Sequence, residues 1–361
     1  MGHSNSAPHP LIGYFPTQLY SEPEALAQEF ASLPPERGSL EEIGLSREGR
    51  PLFGVCMGRG PRRLSLIAGA HGDEPVGPAA LRALIAYLAH APEARPILDA
   101  TTFVICPHVN PDGAERNAAW IQRYPCPLEY YLEHVVREQP GDDVEFGFGS
   151  PSAPETRPEN AAVARFLASR GPYALHATLH GMSLAEGAWF LIGKDHVETT
   201  AELRAALVRL CEHEGLGLHD WDRAGEKGFS YIAPGFSTSP TCPAMQQHFL
   251  EANDPETADR FSLSSMDYVS TLGSAPLCVV SEVPLYLVPP SRDGQAKAPN
   301  FMAAKDALLE ARIALVEGRP EVLARAKQRF GLDPVPVERA LRIVLGMVLL
   351  AGNLCSLDDL L

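Results

Sequence analysis

Hydrophobic positions in this chain fall into two kinds of run. Short, nearly unbroken apolar runs occur at 51–60 (PLFGVCMGRG), 62–75 (RRLSLIAGAHGDEP), 101–113 (TTFVICPHVNPDG), 173–181 (YALHATLHG), 188–193 (AWFLIG) and 276–288 (PLCVVSEVPLYLV). Each reads as a buried strand running into a turn or loop. Runs with apolar residues at helical spacing occupy 21–33, 77–91, 159–171, 199–215, 301–318, 320–331 and 336–354. Between them lie a turn-rich stretch to about Arg50, a mixed aromatic, proline and helical segment at 117–136, a long loop at 137–158 with room for one short strand, and a loop-rich stretch at 221–266. Continuous apolar strands alternating with amphipathic helices predict an α/β fold, a mixed central sheet covered by helices on both faces. The pattern divides the chain into an arm and helix at 1–49, one large domain at 50–290, and a helical C-terminal extension at 291–361 that follows a polar hinge at 289–300.

Charge narrows the role. Asp and Glu total 45 against 30 Lys and Arg, a formal net charge of −15. Such a surface repels nucleic acid and anionic membranes, so neither is expected as a partner. A local basic pocket for an anionic small molecule is still compatible with it. The seven cysteines are scattered, odd in number and without a CxxC pair, which points to a reducing compartment and a cytoplasmic protein. The start lacks a basic segment followed by an apolar run, and there is no stretch of about 18 apolar residues, so neither a signal peptide nor a spanning helix is expected.

The chemistry concentrates after the 62–75 strand. In His71-Gly72-Asp73-Glu74-Pro75 an imidazole and a carboxylate stand three positions apart, in a loop where α/β sheets place ligands. One turn aims both at a single ion. His180, at the end of the 173–181 strand, supplies a third donor, completing a two-histidine, one-carboxylate zinc site with room for water. His176 shares its parity but lies deeper, where a hydrogen-bonded structural role is more natural. The plainer alternative has His71 capping the loop, Glu74 capping the helix near Gly77, and His180 simply packed. Glu282, a carboxylate in an apolar strand close to Pro284, is costly to bury unless it belongs to a site or is paired.

HGDE, the NPDG turn at 110–113, the strand ending in LHG and the late strand-borne Glu282 occur in the order of the M14-type zinc carboxypeptidases, which residues 50–290 resemble. The wider clan includes succinylglutamate desuccinylase and aspartoacylase-like amidohydrolases, and NPDG is the feature that favours the carboxypeptidase side. The resemblance implies a zinc-carboxypeptidase-like fold, one Zn²⁺ on His71, Glu74 and His180, Glu282 as general base, and Arg116 as the arginine that polarises the scissile carbonyl, with Arg123 as its rival. It also implies a peptide or small amide substrate. Asn110 and Asp112 are expected to shape their turn.

Two features depart from the family pattern. The Asn-Arg pair that clamps a substrate α-carboxylate falls in Asp143-Val144-Glu145-Phe146, so Glu145 and Phe146 stand in its place, with Arg123, Arg157 or Arg223 available to compensate. The mobile tyrosine is missing from the run before SSMDYV (264–269), leaving Tyr268 and Tyr231 as substitutes and Asp267 as a reader of substrate side chains. These departures favour an enzyme with atypical recognition of the substrate end: a modified carboxypeptidase, an N-acyl amino acid amidohydrolase or a cell-wall peptide hydrolase. The rival from another class is a non-catalytic binding protein. The apolar run at 343–352 is expected to bury against the main domain or against a second copy of the chain.

Overall fold

The computed structural model describes residues 9–142, 144–149, 156–289 and 299–361. One ten-stranded sheet organises them. Its strands are β1 (Gly38–Leu45), β2 (Pro51–Met57), β3 (Arg62–Ala68), β4 (Thr101–Cys106), β5 (Leu175–Ala185), β6 (Trp189–Ile192), β7 (Tyr231–Ala233), β8 (Phe236–Thr238), β9 (Leu277–Leu287) and β10 (Asp333–Pro334). The order is β1-β2-β4-β3-β5-β9-β6-β8-β7, with β10 pairing β9. The central neighbours β4, β3, β5 and β9 run parallel, while β2 and β6 flank them antiparallel. The mixed sheet of the α/β expectation is therefore present, and helices cover both faces.

Side-chain alternation sorts the core. Leu64 and Leu66 of β3, Phe103 and Ile105 of β4, Leu175, Ala177 and Leu179 of β5, and Val279 and Val283 of β9 share one core with the Val76–His90 and Val337–Ala351 helices. The opposite parity, Ile67, Val104, Cys106, Cys278 and Val280, packs with Val163, Phe166 and Leu167 of the Pro158–Ala168 helix and with Met266 and Val269 of the Ser265–Ser270 helix. The run at 343–352 turns its buried residues to this molecule's own core: Ile343, Val344, Met347 and Val348 are fully covered there. Burying such side chains stabilises by roughly 1.5–3 kcal/mol each.

Several elements differ from the sequence expectation. β1 lies in the stretch read as turns, because no residue in it is fully buried and its alternation gives little signal. β9 runs on through Pro284 to Leu287, so Glu282 sits within the strand rather than at an irregular end. A helix starts at Pro111, inside the segment read as a turn, with Asn110 as N-cap accepting from the Gly113 amide at 3.0 Å. Most of the hinge expected at 289–300 lies outside the described residues. No helix among the described residues is long and apolar enough to cross a membrane.

Candidate metal centre

The site is built where β3, β5 and β9 end on the side packed by the Pro158–Ala168 and Ser265–Ser270 helices. His180 on β5 lies opposite Glu282 on β9 in the parallel register, so both side chains leave the same face of the sheet. Thr178 and His176 point the same way, one and two layers deeper. His176 is fully buried between Ser65 Oγ (2.8 Å) and Ser265 Oγ (3.1 Å), the structural role its depth suggests.

The His71–Glu74 loop meets these strands through two close approaches that tolerate no side chain. A Cβ on Gly72 would lie 2.1 Å from the Gly113 carbonyl carbon, so the HGDE loop rests directly on the NPDG turn. A Cβ on Gly77 would lie 2.4 Å from the Leu179 carbonyl oxygen, which brings the start of the Val76–His90 helix against the strand end carrying His180. Glu74 is thereby delivered to His180. Asn110 binds the loop from the other side, donating to the Ala70 carbonyl at 3.1 Å. Asp112 accepts from Ser46 Oγ, the Glu48 amide and Arg50. Both residues shape the turn, as their types suggest.

His71, Glu74 and His180 offer donor atoms that all lie within 4.8 Å of one another. His71 Nδ1 stands 2.9 Å from Glu74 Oε1, and His180 Nδ1 stands 2.8 Å from Glu74 Oε2. The Gly181 amide also donates to Glu74 at 3.2 Å. Burial alone would raise the Glu74 carboxyl, but His71, Arg137 and His180 outweigh it and hold the group well below the usual carboxylate range. Burial opposes charge on His180, yet Glu145 and Glu74 raise it well above the ordinary imidazole value. Burial, and then the Glu74 charge, push Glu282 up to about 8. Two Nδ1 atoms and one carboxylate converging on one point are the donor set that a tetrahedral zinc site uses, so these residues fit such an ion.

The arginines depart from expectation. Arg116 is partly exposed and occupied by Glu48 and by Glu138 at 3.4 Å. Arg123 lies over the Tyr130 ring at 4.6 Å. The guanidinium that reaches the cluster is Arg137, whose Nη1 is 2.6 Å from Glu74 and 2.8 Å from Asp73. Its backbone is set by Asn117, whose side chain accepts from the Val136 amide and donates to the Val136 carbonyl, each at 2.9 Å. No spacing rule marks Arg137. It follows a short helix, Leu128–His134, and its neighbours are fixed by distant side chains, Asn117 on Val136 and Arg312 on Val135.

Glu145 is buried beside the cluster, its Oε2 2.9 Å from His180 Nε2. Phe146 turns the other way, into an apolar cluster with Cys242, Met245 and Phe261. Asp143 lies outside the described residues. Asp267 closes the capping box of the Ser265–Ser270 helix with Ser264, and Tyr268 is buried with its hydroxyl donated to the Ala164 carbonyl at 3.1 Å. Each of these two side chains, expected to read the substrate, is engaged in a contact that holds the fold. Tyr231 donates to Asp220 at 2.8 Å. Arg157 is buried on Glu159, and Arg223 lies over Trp221 and Phe229 while pairing with Glu226.

The sequence profile of the zinc carboxypeptidase family, M14 peptidase type, matches residues 24–127. That match begins within the stretch read as an arm. Mouse carboxypeptidase M is 30% identical over 177 residues, which cover 45% of this chain and 37% of that protein. Human carboxypeptidase D is 27% identical over 161 residues, covering 42% of this chain and 11% of that protein. The chain thus spans well under half the length of these relatives. In three dimensions it resembles a metallo-carboxypeptidase from Burkholderia cenocepacia, with a TM-score of 0.51 at 17% identity over 93% of this chain and 68% of that one. A metallo-carboxypeptidase from Pseudomonas aeruginosa, solved with (2-guanidinoethylmercapto)succinic acid, gives 0.50 at 16% identity over 95% and 70%. These two establish the fold alone. Residues 24–127 are thus similar in sequence to the zinc carboxypeptidase family, and the whole chain shares the carboxypeptidase fold.

Proposed function

We propose that this protein is a zinc-dependent hydrolase of peptide or amide bonds, carboxypeptidase-like in its chemistry and atypical in how it recognises the substrate end. The observation that carries the reading is the convergence of His71 Nδ1, the Glu74 carboxylate and His180 Nδ1, with Glu282 leaving the same sheet face as His180. His71, Glu74 and His180 would hold one Zn²⁺. The bound ion supplies Lewis-acid polarisation of a carbonyl and makes water a better acid. Glu282 takes the proton of the attacking water and returns it to the leaving nitrogen, a task for a carboxylate whose proton affinity is raised by burial. Arg137 takes the part expected of Arg116, placing a fixed positive charge beside the carboxylates where charge develops on oxygen.

The substrate end follows from positions 145 and 146. A free α-carboxylate calls for a fork of donors. Glu145 offers acceptors and is engaged by His180, while Phe146 packs against Phe261. A substrate whose leaving side carries no free carboxylate suits this better than a standard peptide terminus. The same feature supports the second reading, an N-acyl amino acid amidohydrolase of the desuccinylase or deacylase kind. All seven cysteines are free thiols, which supports a cytoplasmic setting.

The test uses purified, zinc-loaded protein and matched substrates: peptides with free and with amidated C-termini, and N-acyl amino acids. Hydrolysis that a chelator abolishes and zinc restores is expected, with amidated peptides turned over at least as well as free ones. E282Q is expected to keep its zinc and lose about 10²–10⁴-fold in turnover. Full activity in E282Q contradicts the assignment of the base, and strict dependence on a free C-terminal carboxylate contradicts the atypical specificity.

A further inference from the structure

Glu145 occupies the place expected of a substrate clamp, yet its contact is with the protein. We infer that Glu145 is a positioning residue for His180: its carboxylate accepts the Nε2 hydrogen and so turns a bare Nδ1 toward the metal. This rests on the reading of His71, Glu74 and His180 as a metal centre.

The two ring nitrogens of His180 have separate surroundings. Nδ1 lies 2.8 Å from Glu74 Oε2, while Nε2 lies 2.9 Å from Glu145 Oε2 and 3.1 Å from Thr178 Oγ1. A neutral imidazole carries one hydrogen, and the nitrogen that binds a metal must be without it. A carboxylate at Nε2 favours the tautomer with its hydrogen there, which leaves Nδ1 free, fixes the ring plane and makes the imidazole a stronger donor. Thr178, two residues earlier on the same strand face, braces the same nitrogen with a weaker acceptor.

The loop is built to hold this aim. Glu145 is only 7% exposed, a placement that costs several kcal/mol for an unpaired carboxylate. Its neighbours are fastened on both sides. Asn160 donates to the Val144 carbonyl at 2.7 Å, the Ser262 amide donates to the Phe146 carbonyl at 2.7 Å, and the Phe146 ring packs against Phe261. With Phe146 drawn outward into the apolar cluster, the turn through Glu145 and Phe146 leaves Glu145 facing inward to the histidine. A residue used in this way contributes to metal retention, and it gives the substrate end no donor.

The experiment is zinc competition against a chromogenic chelator with full-length wild type, E145A, E145Q and H180A, with thermal melts of the metal-free proteins as a folding control. Wild type is expected to bind one equivalent, and H180A to lose it. E145A is expected to bind zinc about 10–100-fold more weakly than wild type. E145Q, whose amide oxygen still accepts from Nε2, is expected to recover most of that loss. Unchanged zinc affinity in E145A with a raised KM overturns the proposal and returns Glu145 to the substrate. Equal losses in E145A and E145Q also overturn it, because they make Glu145 a direct ligand or a bare charge. Failure of wild type itself to bind zinc overturns the metal centre, a result distinct from either.

Discussion

The site has two halves, and they are held in different ways. His71, Glu74, His180 and Glu282 hang from the ends of β3, β5 and β9, fixed by sheet register and by glycine contacts. Arg137, in the stretch after the Leu128–His134 helix, and Glu145 and Phe146, in residues 144–149, are fixed by side chains reaching across from other elements, Asn117 and Asn160 above all. In the first half, geometry is a property of backbone pairing. In the second it depends on a few polar contacts of about 1 kcal/mol each. Changes in the loop half should therefore alter chemistry with little loss of stability, while changes in the strand half should unsettle the fold itself.

The largest difference is expected between two arginines. Arg137→Ala should lower kcat/KM by about 10²–10³-fold, the usual cost of removing one charge-stabilising donor. Arg116→Ala should stay within about twofold, because that side chain is spent on partly exposed ion pairs. Steady-state kinetics on the two variants decide it, and equal losses would erase the distinction between Arg116 and Arg137.

In the strand half, acid is the next probe. Burial holds the His176 imidazole neutral, pushed down from 6.5 to about 3. Below 6.5 the unfolded chain takes up a proton that the folded chain refuses. Stability should thus fall as pH drops from about 6.5 toward 3, by roughly 1.4 kcal/mol per pH unit for this group. His108, pushed down by burial to about 4, adds to the same trend over the upper part of that range. Chemical denaturation of wild type and His176→Asn at pH 7 and pH 5 measures the share of His176, and the pH dependence should be visibly shallower in the variant.

Gly72→Ala comes next. Its Cβ meets backbone of the NPDG turn, which cannot swing aside, so the HGDE loop and the turn must part, at a cost of about 1–3 kcal/mol. A lower melting temperature in the metal-free protein checks this, and an unchanged melt would mean the two motifs are not in contact. Tyr268→Phe should have the smallest effect. It removes one buried hydrogen bond to Ala164, worth about 1 kcal/mol, and should leave kcat intact. A large loss of kcat with stability preserved would restore Tyr268 to the substrate site.

The same contrast explains what could be read from the chain. Period-two alternation placed His180 and His176 on one face, and HGDE and NPDG announced themselves as loops after buried strands. The mixed sheet followed from the apolar runs. β1 escaped because a strand without a buried face leaves no hydrophobic pattern. Arg137 escaped for a different reason. Its position depends on Asn117 gripping Val136 nineteen residues along the chain, a contact that no local periodicity encodes. Arg116 looked suitable by its distance from Asn110, but Glu48 and Glu138 claim it. Tyr268 and Asp267 looked like site residues because a tyrosine or aspartate that holds a fold is not distinguished by type from one that holds a substrate.

The most direct measurement is zinc stoichiometry, by elemental analysis after dialysis, on wild type, H71A, H180A and E282Q in parallel. The account predicts one zinc per chain in wild type and in E282Q, and far less than one in H71A and H180A. Retention of a full equivalent in both histidine variants would contradict the metal centre on which the rest depends.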